Sequence, residues 1–504
     1  MLSSKLPGGW ALLAQPLPAL AIGTTALLAL YIAYYRYLHP LSKYPGPFFA
    51  SFTNLWKLYT LYNLHMPDDL RRLHEKHGPV VRVGPNDLSF NSADSVAPIY
   101  KAGRSLPKTG FYDGFTTFNP NLFGTTDEEI HAIRRRQISS SFSFQSICKM
   151  EQYIDKHLKI LRANLDHHAK LGDVLDLKEL IAFYTLDVLG ELAFSRSFGA
   201  QLDKNPAMLP PINDHIYLAC LMGMMPEIMP VVKSIAAWTP LPWLQSLFRA
   251  RRNLRDLTAR CVRDRISRKS DRTDLLGSLI NAVDPETGAR LTELDINTEA
   301  FAMVVAGSHT TSGTLTLLFA HLLQNPDILE KVVAEIDKEL SGVTEDTVPL
   351  KCLEAKLPYT MACVNENFRM NPVFSMPLPR KVIAEEGHVI DGRVIPGGTA
   401  VFASNHVVHH NPSIWGTDHD VYNPSRFFGP DVEHCKRYLA PFGVGHRMCI
   451  GKNMAMANIL KVLTTVLRHY ELEVEDPELK ITTLSVGISE MQGPLLCRIK
   501  RRRS

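Results

Sequence analysis

Ten residues near the C-terminus, Phe442 to Gly451 (FGVGHRMCIG), constrain this chain more than any other stretch. They set Cys449 in a glycine-rich loop just before Lys452 to Leu467, where apolar residues recur at helical spacing. A sulfur there is poised as an anion, because a helix N-terminus and cations such as His446 and Arg447 lower a thiol pKa. Amides freed by Gly443, Gly445 and Gly451 can also donate to it. A stable thiolate calls for a metal or an electrophile. A dinucleotide loop fails, since Met448 stands where the third glycine of GxGxxG belongs. Structural zinc fails too, because none of the eight cysteines is in a CxxC pair. What survives is a single thiolate under a haem iron, with Phe442 covering the sulfur and Arg447 reaching a propionate. A buried structural cysteine is the plain alternative.

No Ser/Gly-rich or charge-block linker interrupts the 504 residues, which favours one large domain. Hydrophobic residues make up 45%, enough for a sizeable core, and a net charge of +4 is too small to imply a nucleic-acid partner. Eight scattered cysteines in so long a chain argue for reduced thiols facing the cytosol rather than a secreted disulfide framework.

No charged residue lies between Lys5 and Arg36, and Leu17 to Tyr35 is apolar except for Thr24 and Thr25. This predicts a single N-terminal transmembrane helix, within an anchor over residues 1–38 and ahead of one domain over 39–504. Tyr31, Tyr34, Tyr35 and Tyr37 suit an interfacial belt. A cleaved signal peptide is the rival reading. The charge bias across the span leaves the body in the cytosol.

Beyond the span, Val80–Val83 and Leu88–Phe90 read as a hairpin of a small β-region, and His388–Ile390 with Arg393–Ile395 as another, turned by Asp391-Gly392. Ser105 to Thr126 is aromatic and irregular, which suits a binding loop. Asp127 to Ser141 sets His131 and Arg135 four apart on one helix face. Thr292 with Asp295 starts a helix of about 30 residues that Asn325-Pro326 stops. Its middle, Ala306-Gly307-Ser308-His309-Thr310-Thr311, is small and hydroxyl-rich, which weakens the hydrogen-bond ladder. Glu366 and Arg369 lie one turn apart on a helix from Pro358 to Asn371. His406, His409 and His410 lack a carboxylate or cysteine partner at ligand spacing, which argues against a metal.

Phe442, Gly445, Arg447, Cys449 and Gly451 match F-x-x-G-x-R-x-C-x-G, and on them the chain resembles the cytochrome P450 family, in its fungal membrane-bound form. The resemblance extends over essentially the whole chain and implies a mainly α fold with minor β. Residues 306–311 resemble the family's oxygen-binding helix, A-G-x-D/E-T-T, with Thr310 at the oxygen-activating position and His309 where the acid normally stands. Glu366, Arg369 and Arg426 resemble the E-x-x-R and P-x-R-F elements, implying a buried network under the cysteine loop. The same resemblance implies that Cys449 binds the iron and that His131, Arg135, Arg380 and Arg447 hold the propionates. It also implies that Val373, Phe374 and Ser375 touch substrate and that Gly487 to Glu490 closes the pocket.

The implied activity is haem-dependent insertion of one oxygen atom from O2 into a lipophilic substrate, in fungal secondary metabolism. An NADPH-dependent flavoprotein reductase would supply electrons, docking near Lys436, Arg437, His446 and Lys452. The implied location is the endoplasmic reticulum membrane. A haem-thiolate isomerase or dehydratase, and a non-catalytic haem-binding protein, stay open as alternatives.

Overall fold

A computed structural model describes residues 16–235, 240–268, 272, 274–351, 353–428 and 432–502, with side chains from residue 20 onward. Lys5 and Arg503 lie outside the described residues. Among the described residues the architecture is mainly helical with four small sheets, as the helical periodicities and two short hairpins predict.

The largest helical layer is built by Glu151–Leu171, Leu177–Phe194, His309–Gln324 and Lys452–His469. Leu177–Phe194 is apolar on nearly every face, so it can sit only inside the layer, where all but three of its residues are buried. The four-stranded sheet runs Val80–Gly84, Asp87–Phe90, Ala400–Ala403, Arg380–Lys381. Its first pair is antiparallel and its second parallel, with Asp87 opposite Ala400. The last pairing sets Arg380 opposite Val401, and a lone bridge joins Arg380 to Lys108. Two cations far apart in sequence are thereby brought to one sheet edge. The second hairpin forms as expected, with Asp391 at φ 52° and Gly392 at φ 69°, the two positive angles a two-residue primed turn requires.

The long central helix differs from expectation. It begins at the Thr292–Asp295 capping box, but it is two helices, Glu293–Gly307 and His309–Gln324, broken at Ser308. The break falls in the hydroxyl-rich stretch, where the Thr310 hydroxyl donates to Ala306 O at 2.7 Å and competes for the backbone carbonyl. A Cβ at Gly307 would lie 2.5 Å from Leu189 Cδ1, so a larger residue would force the Leu189 side chain to move. The small residue therefore serves close packing of two helices.

The N-terminal helix covers Pro16–Ala33, 18 residues, and runs into a π-helical turn over Tyr34–Leu38. At about 1.5 Å per residue it reaches about 27 Å, against a hydrocarbon core of about 30 Å. Among the described residues no helix is long and apolar enough to cross a membrane, so the expected spanning helix is not found there. Leu20, Ile22, Leu27, Leu28 and Leu30 are nevertheless all exposed. The turn is tied to the body, because buried Arg82 donates through Nη1 to Tyr35 O at 2.8 Å, and Tyr31 OH donates to Phe52 O at 3.0 Å.

Candidate active site

The cysteine loop is closed by its own backbone: Cys449 N donates to Phe442 O at 2.8 Å and Met448 N to Gly445 O at 3.2 Å. Gly445 must be glycine, since it sits at φ 75° and a Cβ would lie 2.5 Å from Tyr100 O. Phe442 packs edge-on against Phe368 of the Pro358–Met370 helix, at 5.3 Å between centroids. Beneath this contact lies the network expected from Glu366, Arg369 and Arg426. Glu366 and Arg369 are fully buried and paired through two hydrogen bonds, of 2.7 and 2.8 Å. Arg426 reaches Glu366 at 3.4 Å and the carbonyls of Trp415 and Asp418. The remaining guanidinium nitrogen of Arg369, Nη1, donates to both His409 O and His419 O, so the buried charges are satisfied.

Above the loop is a cavity of about 380 Å³, a common size for a small-molecule site. Protein surrounds Cys449, yet its sulfur is open to this cavity. Phe442, His131, Arg135, Arg380, Arg447 and Thr310 also line it, so residues spread over more than 300 positions meet in one space. Gly445 lies just outside the lining. The expected anionic sulfur is corrected in one respect. Burial pushes the Cys449 thiol above its ordinary value, and the Gly451 amide, the Arg135 charge and the Lys452 amide do not overcome this. Desolvation outweighs the loop's dipoles, leaving the charge of a bound metal to favour the thiolate.

One wall is cationic. Arg135 donates to Met448 O at 2.6 Å, and Arg380 donates to Tyr112 OH at 2.7 Å. Arg447 pairs with Glu128 at 2.8 Å. Sequence reasoning missed Lys108, which lines the same wall, donates to Phe123 O and lies 4.2 Å and 4.4 Å from the Tyr112 and Phe123 ring centroids. Burial, then the charges of Arg380 and Arg447, hold its ammonium well below the ordinary lysine value. Burial, then the charge of Arg447 and smaller contributions from Lys108, His446 and Arg135, hold His131 down at about 3, so it is neutral. Arg135, Arg380 and Arg447 stand on this wall, where the Glu128 carboxylate pairs with Arg447 alone of the three. The uncompensated charge fits a group that brings two carboxylates of its own, as haem does through its propionates.

Other expectations divide. Val373 and Phe374 line the cavity, but Ser375 does not, because its hydroxyl is held by Ser485 Oγ at 2.6 Å and Gly487 O. Ile488 lines it from the expected C-terminal segment. Thr310 faces the cavity, whereas His309 is outside the lining and turns its Nε2 to Glu490 Oε2, 3.3 Å away. Successive helical residues point about 100° apart, and here the turn carries Thr310 and Thr311 to the cavity and His309 away from it. The His406 and His410 rings lie 4.6 Å apart, but His406 pairs with Asp68, and among the described residues these histidines form no trio at metal-binding spacing. Among the described residues the one trio at metal-binding spacing is Glu128, His131 and His446, and there Arg447 already occupies the carboxylate.

A family model described as Cytochrome P450 matches residues 44–496. The chain is 30% identical to cytochrome P450 monooxygenase gsfF of Penicillium aethiopicum, over 92% of this chain and 95% of that protein. It is 26% identical to cytochrome P450 monooxygenase pkfB of Emericella nidulans, over 96% and 97%. It is 27% identical to benzoate 4-monooxygenase bphA of Aspergillus niger, over 89% and 91%.

Proposed function

Since this chain belongs to the cytochrome P450 family of haem monooxygenases, we propose that it inserts one oxygen atom from O2 into a lipophilic organic substrate, with Cys449 as the iron ligand. The observation that carries this reading is the cavity itself, in which a single open sulfur faces a wall of Lys108, Arg135, Arg380 and Arg447. Bound haem supplies the redox and oxygen chemistry, its thiolate ligand favouring O–O cleavage.

The remaining work falls to the chain. Arg135, Arg380, Arg447 and neutral His131 orient the propionates, with Phe442 keeping water from the sulfur. The Glu366–Arg369–Arg426 network holds the loop beneath. Thr310 offers a hydroxyl in the cavity that can take or give a proton at Oγ1, and at the helix break that hydroxyl bonds Ala306 O. Apolar side chains such as Phe115, Leu189, Phe301 and Ile488 exclude water and receive the substrate.

Lys436, Arg437, His446 and Lys452 are exposed around the loop, which supports docking of an acidic, NADPH-dependent flavoprotein reductase. Attachment to the endoplasmic reticulum membrane, with the body over residues 39–504 in the cytosol, is supported by the exposed apolar side chains of the N-terminal helix. Phe48 and Phe49 beside it are 53% and 62% exposed, which extends the apolar surface. The relatives named as monooxygenases are fungal, and the proposal extends to a role in fungal secondary metabolism.

The test is Cys449→His in the haem-loaded protein. The parent's reduced carbon monoxide complex should carry the thiolate signature and the variant should lack it. A variant that keeps the signature removes Cys449 as the ligand. With a reductase and NADPH, the parent should form oxygenated product; turnover without NADPH would favour an isomerase instead.

A further inference from the structure

At the end of the cavity built by the Ile212–Gly223 and Glu293–Gly307 helices stands a histidine whose hydrogen can be located by deduction. His215 is 1% exposed, lines the cavity and meets the Phe301 ring edge-on at 5.0 Å. Its Nδ1 accepts from Arg251 Nε at 3.1 Å. A guanidinium nitrogen only donates, so Nδ1 carries the lone pair and the hydrogen of the neutral ring is on Nε2. Burial, then the Arg251 charge, hold His215 well below the ordinary histidine value, which keeps the ring neutral. Among the described residues Nε2 has no hydrogen-bond partner.

Arg251 gives this donor a sign. It is 8% exposed and forms no ion pair among the described residues, its contacts being His215 Nδ1, Gly114 O at 2.9 Å and Met222 Sδ at 3.7 Å. All three are neutral. A buried cation without an anion polarises whatever it donates to, and here that is a ring whose other nitrogen is unpaired. Glu299, the carboxylate of the lining, is already engaged by Arg134 at 3.1 Å and by the Leu122 amide at 2.9 Å. Of these two side chains, His215 is therefore the one with an uncommitted hydrogen to give.

Resting on the monooxygenase reading of the cavity, we infer that His215 is a substrate-positioning residue, and that the substrate is an apolar molecule carrying a carbonyl or carboxylate oxygen which accepts from Nε2. The Arg251 charge behind the ring favours the carboxylate over the neutral carbonyl, and both over a hydrocarbon of the same shape. Fixing one oxygen in an otherwise apolar space sets which carbon is presented to the reacting end. A plain structural tie between the Ile212–Gly223 helix and the Pro242–Ser267 helix that carries Arg251 would leave ligand preference unchanged.

The experiment uses the full-length haem protein and calorimetric titration with 2-naphthoate, methyl 2-naphthoate and 2-ethylnaphthalene, alongside a decanoate, methyl decanoate and undecane set. In at least one set the acceptor-bearing probes should bind the parent about tenfold or more tighter than the hydrocarbon. His215→Phe should erase that difference while leaving hydrocarbon affinity within about twofold. If this variant fails to fold, the double variant His215→Leu with Arg251→Met removes both buried polar partners and should erase the difference in the same way. No preference in the parent, or a preference that survives in the variant, overturns the inference. The carbon monoxide signature is read on the same samples. If the signature is present without the preference, only this inference falls; if the preference is present without the signature, the haem reading falls.

Discussion

His309 and Glu490 face each other across 3.3 Å, joining the first turn after the Ser308 break to the Ser489–Met491 strand. Glu490 is a hub, since Lys178 also reaches it at 3.0 Å and Asn213 donates to it. The imidazole is thus committed outside the cavity while the adjacent Thr310 hydroxyl stands within it.

That division predicts the behaviour of two variants. His309→Ala should form product per NADPH oxidised within about twofold of the parent from pH 6 to 9, whereas Thr310→Val should lower that ratio by about tenfold or more. A pH-dependent loss in His309→Ala as large as that of Thr310→Val would put the imidazole in the proton route.

Glu490 should also mark acid stability. Burial pushes its carboxyl up, but the hydrogen bond and charge of His309, then Lys178, outweigh this and hold it at about 2, against an ordinary 4.5. A lowered carboxyl pKa stabilises the fold above the unfolded value, and the gain is lost as pH falls from about 4.5 to about 2. The shift corresponds to about 3 kcal/mol at most, and partial exposure reduces this to about 1–2 kcal/mol. Urea unfolding of Glu490→Gln should show that deficit at pH 7 and a shrinking one below pH 4.

Breaking the buried pair under the loop should cost far more. Arg369→Leu leaves Glu366 charged with no bidentate partner, and about 3–5 kcal/mol should be lost. Thermal unfolding and retained haem should fall together. Arg369→Lys should not rescue, because an ammonium cannot make the two parallel bonds while also reaching His409 O and His419 O.

Two truncations separate the N-terminal helix from the body. Deleting residues 1–33 removes the exposed Tyr31–Phe52 bond and should leave haem content unchanged, lower the unfolding midpoint only slightly and raise the fraction recovered without detergent. Deleting residues 1–38 removes the Tyr35 carbonyl that buried Arg82 donates to, and should cost about 1–3 kcal/mol more, read by denaturant titration.

The cysteine loop, the Glu366–Arg369 pair and both hairpins were legible because each is written in contiguous residues with fixed backbone demands. Arg134, Arg135 and Arg136 show what was not. Turned about 100° from one to the next, they go respectively to Asp295 and Glu299, to Met448 O in the cavity wall, and to Asp284. The spacing of His131 and Arg135 singled out the middle one; nothing local announced the partner of the first. Lys108 and the His215–Arg251 contact were missed for the same reason, since tertiary packing alone brings their partners together. The Ser308 break had a readable signal in its hydroxyls, but the apolar residues on both sides argued for continuity.

Arg82 gives the N-terminal helix a mechanical meaning. A helix joined by free chain lets its cargo swing, but this one ends in a turn whose Tyr35 carbonyl is gripped from inside the β-region, with Tyr31 fastened to Phe52 alongside. Were the helix to lie in lipid, as proposed, it would be a stalk instead of a leash, and the body would take a set tilt over the bilayer. A molecule partitioned in the lipid would then always meet the same side of the protein.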